Sequence, residues 1–332
     1  MVEIKDLIGL SKPLEKLIEV ISTGVGAVSQ PYLIKKTADA KAYEIRIISQ
    51  AIEDSQSNLK NIEFNDGKIS LSLEDKAQQR VQFKEQKRQL NIESITQKAA
   101  DTLAADSEVS DEPVDEDWTS RFFNYAEDIS NDETQELWGR ILAGEVKKPK
   151  SYSLRALDVL RNLSTKEAEV FIKFGALAIR SSRMTFLLNP EDEKLLEEDC
   201  QLKFEEKLLL EELSLITVND LAFSLPKTED TSSVQLFILG KTAVIQNKIQ
   251  EKPNQQLKVL FFTKIGQELL QLIDVEPKME YIQLLATKLN RKNGAIQYTN
   301  SFKELSNNHI QYTELIDVPL TEDEKNQANA HA

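Results

Sequence analysis

The sequence predicts a mainly α protein with a smaller α+β part. Three observations predict it. Glycine (10) and proline (9) are scarce among 332 residues, so few positions break a helix. Apolar residues recur three and four apart over long stretches, the spacing of one helix face. Dense β-branched and aromatic runs between turn signals are confined to the region around 234 to 262, where strands are expected.

The elements follow in order. Leu14, Leu17, Ile18, Ile21, Val25 and Val28 mark one face of a helix starting near residue 12. Gly24 and Gly26 thin that face, which suits close packing, and Pro31 interrupts it. A second helix is expected over 31–59, with Ala38, Ala40, Ala42, Ile45, Ile48 and Ile52. The triplet Asn65-Asp66-Gly67 is a turn signal. Residues 73–104 then read as a long polar helix whose apolar positions (Val81, Phe83, Leu90, Ile92, Ile95) are sparse. Such a pattern marks a solvated helix or coiled-coil arm. Lys76, Arg80, Lys84, Lys87 and Arg88 make it the most basic part of the chain. Lys84, Lys87 and Arg88 are the candidate anion or nucleic-acid contacts; no aromatic residues interleave them for base stacking.

Residues 106–117 carry seven acids and one proline, the composition of a linker and the expected domain boundary. Helix starts after it are explicit. Ser130 with Glu133 and Ser164 with Glu167 fit capping boxes, and Ser153 and Thr263 can cap helices. A helix over 203–214 precedes the β-rich runs 234–239 and 241–247, split by Gly240, and 257–262. Helices, a hairpin and a further helix form the pattern of a winged helix-turn-helix. The expected organisation is an extended helical region (1–105), the acidic linker (106–117), a compact helical domain (118–190), a winged-helix-like domain (191–275) and a last helix, strand and polar tail (276–332).

Composition narrows the function. The formal charge of −14 opposes generic nucleic-acid binding at long range. A single cysteine, Cys200, leaves no intrachain disulfide and fits a reducing compartment. Three acids precede Cys200 closely, a setting for an inert thiol. The opening MVEIKDLIGL lacks the basic and apolar runs of a secretory signal, and no apolar stretch reaches the roughly 20 residues that cross a bilayer. A cytoplasmic location is expected. The two histidines, His309 and His331, have no zinc-ligand spacing or nucleophile elbow around them. Phosphate-binding glycine loops are absent from the sequence. Asp128, Asp132, Glu133 and Glu136 cluster and could hold a divalent metal, but stabilisation of a helix N-terminus accounts for Asp132 and Glu133 and is the preferred reading. No cofactor and no metal are expected, and an enzyme is not the leading reading.

The best surface candidate is the segment holding both tryptophans. Trp118, Phe122 and Trp138, with Arg121 and Arg140 beside them, are the expected interaction residues, against core packing as the commoner fate of such rings.

The segment 137–171, LWGRILAGEVKKPKSYSLRALDVLRNLSTKEAEVF, resembles the hallmark of a bacterial family designated domain of unknown function 2806. The segment 9–42 is similar to the same family's N-terminal part. That family is in turn similar to the Abi-alpha abortive-infection family, which implies phage defence by analogy. The family carries no established catalytic positions to transfer. The leading expectation is a non-enzymatic, self-associating cytoplasmic protein of antiviral defence, whose partners are further copies of itself and a protein or phage component. A nucleic-acid-binding winged-helix regulator ranks second, and a membrane-active toxin third.

Overall fold

The structure is a computed structural model that describes residues 11–26, 62–65, 68–71, 73–104, 108–182, 184–189, 196, 200, 202–224, 235–246, 256–274, 276–289, 295–305, 309–321 and 324. The helix expected over 31–59, and His331, lie outside the described residues. The protein is mainly helical with an antiparallel sheet in its C-terminal part. It divides into two compact units between Leu157 and Asp158.

The first unit holds α1 (Lys12–Val25), the hairpin β1 (Ile62–Asn65) and β2 (Lys68–Leu71), α2 (Leu73–Leu103), α3 (Glu116–Ala126) and α4 (Asp132–Lys147). Helix α1 buries Leu17, Val20 and Ile21 and ends at Gly26, whose φ of 91° is left-handed. Its Gly24 lies so close to α3 that an added Cβ would meet Phe123 at 2.2 Å. The hairpin follows the predicted turn, with Asn65 opposite Lys68.

From residue 108 on, the acidic stretch is fastened rather than free, and it lies inside the first unit. Lys12 pairs with Asp111. Lys16 Nζ donates to the carbonyls of Ser110 and Glu112, at 2.8 and 2.6 Å. The Ser110 amide donates to the Lys147 carbonyl at 3.0 Å, and Lys150 pairs with Glu112. The Asp115 side chain then caps α3 by accepting from the Trp118 amide. Lys12 holds the Asp111 carboxyl below its usual pKa, first through the hydrogen bond and then through charge.

Helix α5 (Leu154–Asn162) spans the division. The second unit continues with α6 (Thr165–Gly175), β3 (Ile179–Arg180), β4 (Thr185–Leu188), α7 (Phe204–Glu212), β5 (Ile216–Ser224), β6 (Gln235–Leu239), β7 (Thr242–Gln246), β8 (Gln256–Phe262), α8 (Lys264–Leu270), α9 (Met279–Lys288), β9 (Ile296–Thr299), β10 (Phe302–Glu304), β11 (Ile310–Tyr312) and β12 (Ile316–Asp317). The capping box at Ser164 and Glu167 forms in both directions, at 3.3 and 2.7 Å, and Thr263 caps α8. The start of α4 differs by one residue: Asn131, not Ser130, accepts from the Thr134 amide.

The hairpin split at Gly240 is present, with Leu239 opposite Thr242. It does not form the small wing of a winged helix. The strands join one eight-stranded antiparallel sheet in the order β12-β9-β7-β6-β3-β4-β8-β5. The winged-helix expectation fails because residues 179–188, assigned to a helical domain, form β3 and β4 and bridge the hairpin to β8. Strands β4 and β7 are buried at every position, as expected where both sheet faces are covered. Tyr281 of α9 is fully buried; its hydroxyl donates to the Leu177 carbonyl at 2.9 Å and accepts from the Leu188 amide at 3.2 Å. Burial drives its pKa upward, so it stays neutral.

Candidate functional site

Helix α2 has an inner half in the core and an outer half in solvent. One stripe runs its length: Leu73, Ala77, Val81, Lys84, Arg88, Ile92, Ile95, Ala99 and Leu103, in steps of four, four and three residues. An eleven-residue rhythm stays close to the helix's own turn, so the stripe does not drift off its face. The inner members Ile92, Ile95, Ala99 and Leu103 are buried. Gly139 of α4 makes this possible, because an added Cβ would lie 2.7 Å from Lys98 Cβ and 3.2 Å from the Ile95 carbonyl oxygen.

A buried polar network fixes the register of α2 on α4. Gln135 Nε2 donates to the Ile129 carbonyl at 2.8 Å and to Asn91 Oδ1 at 3.3 Å. Ser94 donates to Gln135 Oε1 at 2.6 Å, and Asn91 Nδ2 donates to the Glu127 carbonyl at 2.8 Å. The amides are satisfied by groups of the facing helix and of the α3–α4 connection, so sliding α2 by one turn would strand several of them.

Ion pairs flank the network. Lys98 reaches Asp132 at 3.0 Å and Glu136 at 3.4 Å. Arg88 reaches Glu85, Glu127 and Asp128 at 3.0, 3.2 and 3.4 Å. Burial opposes the charge on both bases. The carboxylates outweigh it and raise both pKa values. Three of the four clustered acids, Asp128, Asp132 and Glu136, thus pair with bases of α2. No metal-binding group of acids, histidines or cysteines occurs among the described residues.

The outer half, from Leu73 to about Leu90, has a different surface. Leu73, Val81 and Phe83 are 85%, 57% and 69% exposed. Around the helix, Leu73, Ala77 and Val81 run along one side with Arg80 and Lys84, flanked by Lys76 and Lys87, whereas Phe83, two residues from Val81, lies nearly opposite it beyond Lys76. Glu74, Gln78, Gln82 and Glu85 occupy the other side. The result is a cationic apolar face. Of the three anion-contact candidates, Lys84 and Lys87 are exposed on it, and Arg88 is held by its three carboxylates.

The two-tryptophan cluster lies in the core. Trp118, Phe122 and Trp138 are 4%, 0% and 0% exposed. The rings of Trp118 and Phe122 stack at 5.1 Å, and Phe122 meets Trp138 at 5.2 Å. Arg121 is exposed and Arg140 half-buried, so the arginines, not the rings, reach the surface of this cluster.

A second exposed apolar face lies on α7. Phe204 and Leu208 are 58% and 43% exposed, one turn apart. Glu205, Glu211 and Glu212 flank them and are exposed too. Lys207 and Leu210 are buried, and the Lys207 ammonium lies 5.2 Å from the centroid of the Phe204 ring. The exposed side of this helix offers acids, one ring and one leucine, not the basic side chains a DNA-reading helix needs.

A family model matches residues 75–286, most of the chain. The chain belongs to the family described as protein of unknown function DUF2806. No curated protein and no solved structure matches it. Within this DUF2806 chain the segment 137–171 carries several structural contacts of its own. It contains Gly139, the Ser164 capping box and Glu145, a buried carboxylate that accepts from the Lys150 and Tyr152 amides at 2.6 and 3.0 Å. That turn holds Lys150 at a left-handed φ of 68°. The inner half of α2, the outer bases and α7 all fall inside the matched range. No described helix is long and apolar enough to cross a membrane.

Sequence reading missed the Asn91–Gln135 network, whose members are 44 residues apart. It also missed Phe204 and Leu208 as a surface, although apolar residues at a four-residue spacing between acids were visible there.

Proposed function

We propose that this protein acts by docking rather than by chemistry, as a self-associating cytoplasmic component of bacterial antiviral defence. One observation carries the docking half. Helix α2 leaves a helical unit that buries its inner stripe, and it presents Leu73, Val81 and Phe83 to solvent together with four bases. Large apolar side chains left in solvent beside a row of bases on a helix that continues out of a packed core favour a partner that covers them. The defence half rests on the similarity of the family segment to Abi-alpha proteins and is an analogy of setting.

Light scattering on the full chain tests the docking half: the mass should rise above one copy with concentration, and a single-copy mass at every concentration would remove it. Deleting the gene in a host carrying it tests the other half. Restriction of at least one phage should weaken, and unchanged plating across a broad panel would count against a defence role.

Nucleic-acid binding is the second reading, favoured by Lys76, Arg80, Lys84 and Lys87 on one side of α2. The net charge of −14 opposes it. Salt-dependent retardation of duplex DNA, abolished by reversing Lys84 and Lys87, would move this reading to first place.

A further inference from the structure

Gln89, Glu93, Gln97 and Asp101 stand four residues apart along one line of α2, so each side chain is within reach of the next. The line crosses from the outer half of the helix into the inner half. Two of its three steps are joined. Gln89 Nε2 donates to Glu93 Oε1 at 3.0 Å, and Gln97 Nε2 donates to Asp101 Oδ1 at 3.0 Å. The middle step is open and lies between two acceptors. An ionised Glu93 has no hydrogen to give, and Gln97 Oε1 is buried with no hydrogen-bond partner. What this step lacks is one proton.

We propose that Glu93 is a proton-operated latch on α2: its carboxylate takes a proton from solvent on Oε2, and the new O–H donates to Gln97 Oε1. Glu93 Oε1 keeps its bond from Gln89, and Gln97 Nε2 keeps its bond to Asp101. The four side chains then form one hydrogen-bonded chain across the junction where the outer half leaves the core. This latch acts within one copy and does not rest on self-association.

The surroundings favour the protonated form. Burial raises the pKa of Glu93, and the Gln89 amide opposes it. No charged group of α2 itself, or of α1, α3 and α4, the helices packed on it, counts among the influences on this carboxyl. Lys12 and Lys16 of α1 are turned to the stretch 110–112. Glu127 and Asp128 after α3 hold Arg88, and Asp132 and Glu136 of α4 hold Lys98. A buried carbonyl oxygen left without a donor costs its full desolvation, and the proton at Glu93 removes that cost. The sign follows. A carboxyl raised on folding keeps its proton to higher pH in the folded chain than in the unfolded one. Stability is gained as pH falls through the folded value and lost as pH rises through it. Asp111 of the same unit is lowered and runs the other way, so substitution, not pH alone, separates the two.

The test is hydrogen exchange of the full chain in mild acid and near neutrality, read as protection of the amides from Ile92 to Leu103 after correction for the intrinsic pH dependence of exchange. Glu93→Gln supplies a donor at every pH. Near neutrality it should raise protection to the level that the unaltered chain reaches in mild acid, by about tenfold for each unit that the folded pKa exceeds the ordinary one. Gln97→Met removes the acceptor and keeps the length of the side chain. Its loss of protection should be several-fold larger in mild acid than near neutrality, and equal at both once Glu93→Gln is also present. Carboxyl carbon NMR of the unaltered chain reads the latch without the methionine variant: the signal that Glu93→Gln removes should titrate above the ordinary glutamate value of about 4.3. A midpoint at or below that value overturns the proposal. So does a Gln97→Met loss that is the same at both pH values while Glu93 is present, the result expected if water alone meets Gln97 Oε1.

Discussion

The inner and outer halves of α2 share one helix, one stripe and one repeat, yet one half is core and the other surface. Ile92, Ile95, Ala99 and Leu103 are buried under α4. Three to five turns earlier, Leu73 and Val81 stand in solvent on the same line. The repeat fixes which side of a helix is apolar. What covers that side is decided by the neighbours: Gly139, Gln135, Asp132 and Glu136 of α4 meet the inner half. The outer part of the stripe carries bases, Lys84 and Arg88, where a folding core would place aliphatic residues.

The largest expected effect separates the halves most sharply. Trp138→Ala removes a fully buried ring that packs on Phe122 and Tyr125 in the unit holding the inner half and should cost about 3–5 kcal/mol of unfolding free energy in denaturant titration. Val81→Ala in the outer half should stay within about 0.5 kcal/mol. Equal losses from the two would erase the distinction. Next comes Gly139→Ala, whose new Cβ would press on Lys98 Cβ and on the α2 backbone. Overpacking of that kind costs about 1–3 kcal/mol. Gln135→Ala should fall in a similar range of about 1–3 kcal/mol, because Asn91 and Ser94 lose buried partners.

A smaller effect than those on the inner half lies in the other unit and serves as a control. Ser164→Ala should cost about 0.5–2 kcal/mol through the α6 cap and leave hydrogen exchange in both halves of α2 unchanged. The Ser164 hydrogen bonds hold the Glu167 carboxyl below its usual pKa. A carboxylate depressed on folding contributes stability above its unfolded pKa and loses it as pH falls through the folded value. Melting of this unit should therefore weaken in acid, and Glu167→Gln should flatten that part of the pH dependence.

Local signals made most helices legible. The side chains of Ser164, Glu167 and Thr263 act within three residues of themselves, so a reader of the chain sees both partners at once. The hairpin around Gly240 is equally local. The eight-stranded sheet was not legible, because it depends on Arg180 meeting Ile238 and Phe186 meeting Phe261. Two-residue β3 also carries too little pattern to read as a strand. The site was half legible. The bases of α2 were visible as a run, but that Arg88 belongs to Glu127 and Asp128 depends on a turn forty residues away. The two tryptophans drew attention through rarity, and rarity does not distinguish a core ring from a surface one.

Hydrogen exchange of the full chain across a wide concentration range tests the central claim most directly. Amides of the inner half of α2 should be protected at every concentration, and those from Leu73 to Leu90 should exchange quickly when dilute and slow as concentration rises. Protection of the outer half that does not change with concentration would contradict an account in which another copy covers it.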